Sequence, residues 1–195
     1  RIKSYDDLKP DALKPLLIEQ FLPTLDARKR DGTVFNISIK LKTIESNAQK
    51  EFFPHETLIT ADDLPSMTKI TIQDDSLDAF STIDMYYHVE PVSGKGSLLV
   101  AFSIDGRTIP VNLIPTSSFP PGHMGVFLFE SEMFHSNADS SRQKLILPEG
   151  LQEASLYRVL RREVGKVLAE KIPKITEKNE EVKGKFEEQF PHLLG

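Results

Sequence analysis

The chain contains no cysteine. That excludes disulfides, thiolate zinc sites and cysteine nucleophiles, and it fits a reducing cytoplasm, the expected compartment. It also has no surplus of positive charge: 24 Lys and Arg stand against 29 Asp and Glu, a net charge of −5. Nucleic acid is therefore not expected as the main ligand, because a phosphate backbone is met by clustered Lys and Arg. No apolar run approaches the ~20 residues of a membrane-spanning helix, and no signal-peptide core is present, so no membrane partner is expected. The five His residues, among them His55, His88 and His135, show no H-x-x-x-H or carboxylate-paired spacing, so no metal site is expected. Ser117 and Ser118 lack the G-x-S-x-G context of a hydrolase nucleophile.

What remains is the composition of an ordinary globular chain: 195 residues, 39% hydrophobic and 27% charged. That length suffices for one good core, or for two small subdomains sharing an interface. The chain begins with Arg1 rather than Met and stops at Leu193-Leu194-Gly195, so it is expected to be a fragment of a larger protein.

Residues 5–22 have helical spacing through Leu13, Leu16, Leu17, Phe21 and Leu22, although Pro10 and Pro15 blur the start. Residues 26–32 (DARKRDG) read as a charged turn. Residues 33–42 alternate as a half-buried strand, with Val34 opposite Phe35, Ile37, Ile39 and Leu41. Residues 43–67 are irregular. Strands follow at 68–73 and 82–90. Ser93-Gly94-Lys95-Gly96-Ser97 has some look of a phosphate loop, but a strand follows it where a helix is required, so it reads as a plain hairpin turn. Residues 97–104 and 107–114 pair around Asp105-Gly106, a strong hairpin signal. Residues 116–122 form a turn and 124–129 a buried strand. After a polar loop at 131–141 come a short strand at 144–147 and the clearest helix of the chain, 151–171. That helix carries Leu156, Val159, Leu160, Val164, Val167 and Leu168 as one stripe and is stopped by Pro173. A charged second helix is expected over 177–190.

The whole reads as an α+β chain in four segments: a helical junction (1–30), a β-rich segment (31–95), a β/α segment (96–172) and a C-terminal helical connector (173–195), together one compact unit. The acidic pairs Asp62-Asp63 and Asp74-Asp75 could hold Mg²⁺ beside a phosphate, but they read better as turn and cap residues. Asp84 and Asp105 read as structural, Asp105 as the turn residue. The polar loop ends in Arg142, Gln143 and Lys144. A cation held at a strand end can reach a γ-phosphate and stabilise transferring charge. The bland alternative, a loop tip with solvated charges, is the one residue physics alone favours.

Two stretches carry a family resemblance. The first is Phe102-Ser103-Ile104-Asp105-Gly106-Arg107. The second is Val126–Phe129, then the polar loop with Arg142-Gln143-Lys144, then Leu145-Ile146-Leu147 and the 151–171 helix. Over about residues 99–171 the chain resembles the transducer, or middle, domain of GHKL (histidine-kinase-like) ATPases, the superfamily of the DNA gyrase B subunit, the MutL mismatch-repair protein and a related heat-shock chaperone. Asp105 stands where the MutL-type turn has Asn. The helix expected between the two halves is replaced by the short 114–124 connection, and the loop is longer than in MutL. The resemblance implies a mixed or antiparallel sheet with helices on one face, in a ribosomal-protein-like fold. It implies that Lys144, with Arg142 as the alternative, senses the γ-phosphate, and that Gln143 orients water or holds the loop. ATP and Mg²⁺ would then belong to a neighbouring ATPase domain, not to these residues, and a homodimer is one assembly the family suggests. A different reading, a protein–protein interaction module without a nucleotide link, would use exposed strand edges and the 177–190 helix.

Overall fold

The computed structural model describes residues 6–41, 56–77, 82–115, 119–136 and 153–172. After a short 3-10 turn at Asp6–Leu8, helix α1 spans Pro10–Arg30. Pro10 stands at the start, where its missing N–H costs nothing. Pro15 and Pro23 lie inside, and the helix bends at Phe21 (φ −113°, ψ 15°). Pro23 cannot donate to the carbonyl four residues back. That carbonyl, on Glu19, instead accepts the Thr108 hydroxyl from the sheet, so the kink becomes a point of attachment.

The expected charged turn at 26–32 is instead the last turns of α1. Arg28, Lys29 and Arg30 lie at the carbonyl end, where cations complement the helix dipole. Gly32 (φ +70°) then stops the helix. Its N–H donates to the Lys29 carbonyl and the Thr33 N–H to that of Arg28, which is a Schellman ending.

Among the described residues seven strands follow: β1 (Asn36–Lys40), β2 (Glu56–Thr60), β3 (Thr68–Ile72), β4 (Ile83–Pro91), β5 (Ser97–Ile104), β6 (Arg107–Pro110) and β7 (His123–Glu130). β1 and β2 form a small antiparallel sheet, with Ile37 opposite Ile59. β2 falls in the stretch that reads as irregular. The other five form one sheet in the order β3-β4-β7-β5-β6. β7 is antiparallel to β4 and parallel to β5, so the sheet is mixed. The 91–97 link is therefore not a plain hairpin turn, because β7 lies between the strands it joins. Gly96 in that link packs on the His123 backbone so closely that a Cβ would overlap its carbonyl oxygen. β6 ends at Pro110, short of the expected 114, because proline has no N–H to continue the ladder.

Alternation assigns each face of the large sheet to its own core. Met85, Tyr87, Val100, Phe102, Phe127 and Phe129 face α3 (Glu153–Lys171), whose stripe from Leu156 to Leu168 is buried as its spacing predicts. Tyr86, Ala101, Val126 and Leu128 face the other way, onto Leu22 and Leu25 of α1 and Ile59 of β2. The α+β class read from the sequence is what the structure shows. Its layering differs from helices on one face: α3 covers one side, and α1 with the small sheet covers the other, because β4, β5 and β7 are apolar on both faces. The 31–95 and 96–172 segments share the large sheet through β4 and β7.

Part of the expected polar loop is helical. α2 spans Glu132–Ser136 and buries Phe134 against Phe102, centroids 4.7 Å apart. α3 is held from outside by Arg161, which donates to the Leu113 carbonyl (2.8 Å), and by Arg162 on Asp74 (2.7 Å). Among the described residues, no helix is long and apolar enough to cross a membrane.

The β5–β6 turn has Asp105 (φ 49°) and Gly106 (φ 75°), both left-handed, as a two-residue hairpin with right-handed strand twist requires. A Cβ on Gly106 would overlap the Thr24 hydroxyl, which donates to the Gly106 carbonyl at 2.8 Å. Gly106→Ala is expected to cost roughly 1–3 kcal/mol, the scale of a strained backbone position. Part of that loss should disappear in a Thr24→Ala background, which a double-mutant cycle of chemical unfolding would read. Equal penalties in both backgrounds would show that the overlap is relieved at no cost.

Candidate functional site

The ends of β5 and β7 and the last turns of α1 meet at one edge of the molecule. The residues most directly implicated by the sequence, Arg142, Gln143 and Lys144, lie outside the described residues, as do Ser117, Ser118, the strand expected at 144–147 and the helix expected at 177–190. The chain enters the segment bearing those cations one residue after α2. His135, in the last turn of α2, is tied to the β5–β6 turn: its Nδ1 lies 3.0 Å from both the Asp105 backbone nitrogen and Asp105 Oδ1. Asp105 is thus the turn residue that its sequence suggests, and it also anchors α2.

On the α1 face, the same end of the sheet carries a polar row, one residue from each strand. Thr71 pairs with Asp84, Asp84 with Glu130, and Ser103 with Thr108. Phe102 pairs with Phe129 in the parallel register, so Ser103 lies beside Glu130 at the next step. The row closes the floor of the apolar core beneath α1.

Above it sits a charged cluster. Asp26 is only 2% exposed and takes the Arg30 guanidinium at 2.8 Å. Burial pushes the Asp26 carboxyl above the usual carboxylate value, with Arg30 and then Lys29 pulling the other way. The Arg30 guanidinium also lies over the Tyr86 ring at 4.1 Å, a cation–π contact. Asp84 is bonded by Lys69 (2.8 Å) and Thr71 (2.7 Å). Partial burial opposes its charge, but these two donors outweigh it and hold its carboxyl below the ordinary value.

Between α1 and this edge runs an open cleft of about 460 Å³. Thr24, Ala27, Arg28 and Asp31, at i, i+3, i+4 and i+7, form its helix wall; Ser103, Gly106 and Glu130 form its sheet wall.

In each acidic pair one member has a structural partner, Asp63 in the first and Asp74 in the second. Asp63 closes a capping box with Thr60 and takes Lys14 at 2.5 Å; the Lys14 bond first, then the Thr60 N–H, hold its carboxyl low. Asp74 takes Arg162. His88 is satisfied by the Ser66 carbonyl (3.0 Å) and lies 3.3 Å from Glu90. No group of three His, Asp or Glu able to hold a metal occurs among the described residues. Sequence reading missed the Asp26–Arg30 pair, whose only signal is i,i+4 spacing on a helix. It also missed Ser103 and Glu130, which come together only through the β5–β7 register. Compared with protein-family models, curated proteins and solved structures, the chain gives no match.

Proposed function

We propose that this chain is a non-catalytic transducer module, coupling the nucleotide state of a neighbouring GHKL-type ATPase domain to conformational change or dimerisation. The observation that carries the reading is the Asp105–His135 link. It ties the Asp105-Gly106-Arg107 turn to α2, directly before the segment with Arg142, Gln143 and Lys144. Both stretches of the resemblance therefore start from one edge of a rigid sheet, with α3 packed behind it. A cation carried from such an edge would stabilise γ-phosphate charge when the neighbouring domain docks. Phosphate state would then bias the angle between domains. In this role Lys144, or Arg142, reaches the phosphate and Gln143 orients water, while ATP and Mg²⁺ are held by the neighbouring domain.

The test is ATP turnover by the parent protein. Lys144→Ala is expected to lower it by about 10²-fold, with Arg142→Ala as companion. An active parent indifferent to both changes would sink the switch assignment. A parent that neither binds nor hydrolyses ATP would remove the transducer reading altogether.

A second reading, an interaction module, is favoured by β3. Among the described residues it pairs on one side only and leaves Ile70 exposed, an edge open to strand addition. It predicts partner binding that nucleotide does not change.

A further inference from the structure

Some of the polar groups lining the cleft beneath α1 have no hydrogen-bond or ion-pair partner among the described residues. In the cross-sheet row, Thr71 is bonded to Asp84, Asp84 also to Lys69, and Thr108 to the Glu19 carbonyl. The two members that line the cleft differ. Ser103 is 3% exposed, yet no described residue hydrogen-bonds its hydroxyl. No fully enclosed side-chain N or O among the described residues lacks a partner, so this oxygen reaches the open volume of the cleft. Beside it, Glu130 makes no ion pair within contact distance of any described residue, although it feels the charge of Arg30, which Asp26 already pairs. On the opposite wall Asp31, at the carbonyl end of α1, makes no ion pair with any described residue either. Among the lining residues two carboxylates stand against one guanidinium, that of Arg28, and the nearby Arg30 is matched by Asp26. A buried hydroxyl facing a cavity gains most from a ligand that can bond it, because such groups are costly to leave unmatched. The volume lies within the ~300–1,000 Å³ of small-ligand sites.

We propose that this cleft binds a primary ammonium group, carried by a small free amine or by a lysine side chain. An ammonium offers three donors and no acceptor. Ser103, Glu130 and Asp31 supply one hydroxyl and two carboxylates as acceptors. An anion would meet two like charges at the same place. This inference does not rest on the transducer reading and holds whether or not the parent turns over ATP.

The experiment is a titration of the whole chain, followed by calorimetry and amide NMR shifts. The probes are putrescine and Nα-acetyl-lysine methylamide, with the Nε-acetylated lysine derivative and acetate as controls. One-site saturation by an amine probe is expected, with shifts centred on Ser103, Glu130 and Asp31 and no saturation by either control. Glu130→Gln should weaken binding about tenfold or more, the scale of a lost charged hydrogen bond. Should that variant melt at a lower temperature, Asp31→Asn at the exposed helix end gives the second reading of the same loss. Tighter binding of putrescine assigns the site to free amines, and tighter binding of the lysine mimic assigns it to a side chain of a partner. The proposal is overturned if neither amine saturates, if both variants bind as well as the wild type, or if the acetylated control binds equally.

Discussion

Phe102→Ala is expected to lower the unfolding free energy by about 3–5 kcal/mol, the range for deleting a buried aromatic ring. Phe102 is almost fully buried on β5, at the meeting point of four elements. Its ring lies 4.7 Å from Phe134 of α2, 6.2 Å from Phe129 of β7 and 6.3 Å from Tyr157 of α3. Truncation removes the transfer free energy of the ring and three aromatic contacts, and it opens a cavity that rigid strands on both sides cannot close. At 2–4 °C per kcal/mol for a chain of this size, the melting temperature should fall by roughly 6–20 °C. Phe102→Leu keeps most of the volume and should cost much less. Denaturant unfolding of the two variants checks this. Equal, small losses would show that the site relaxes and that Phe102 is not the joint between the sheet, α2 and α3. Because Phe134 packs α2 against this ring, the alanine variant should also loosen the Asp105–His135 link, visible as faster exchange of the Asp105 amide.

Arg30→Met should have the next largest effect on stability, roughly 3 kcal/mol near neutral pH. Removing one partner of a buried ion pair leaves the other as an uncompensated charge, which costs about 3–5 kcal/mol. The lower end applies because the Arg30 side chain is 36% exposed while that of Asp26 is 3% exposed. The variant also loses the contact over Tyr86. The pH dependence has a definite sign. The folded pKa of Asp26 is raised by burial, so its contribution is most favourable below the unfolded value of about 3.9 and is lost as pH rises through the folded value. Without Arg30 that folded value rises further. The gap between variant and wild type should therefore be small near pH 3 and widen through the carboxylate range and above. Asp26→Asn in the Arg30→Met background removes the stranded charge and should recover most of the loss at neutral pH. Urea unfolding at several pH values reads all three. A gap that does not change with pH would mean that Asp26 finds another cation, with Lys29 the nearest in charge.

Some of this molecule is legible without coordinates. The α3 stripe reads correctly because six apolar residues keep helical spacing with no competing signal, and each is buried. Asp105-Gly106 reads correctly because few backbones other than a tight hairpin need two left-handed residues in succession. β2 does not read, since its five residues bury only Ile59 and are otherwise polar or half-exposed. The last turns of α1 do not read, because a run of charges resembles a solvated turn. In the fold those charges are used: Arg30 on Asp26, Lys29 on the Leu64 carbonyl at 2.6 Å, and all three cations at the dipole end. Val34, set opposite its apolar neighbours by alternation, is 87% exposed and lies before the strand begins.

The α+β class, the position of α3 and the β5–β6 turn can all be read along the chain. Each follows from periodicity or from the backbone demands of a few adjacent residues, which are local properties of the chain. Folding in three dimensions settles the rest: β7 enters between β4 and β5, α1 and the small sheet cover the second face, and Ser103 and Glu130 share a cleft. Strand pairing depends on which backbone edges meet. Every strand offers the same N–H and C=O groups, so the partner is chosen by the burial of both faces at once. That choice couples residues far apart in the chain and leaves no mark at any one of them.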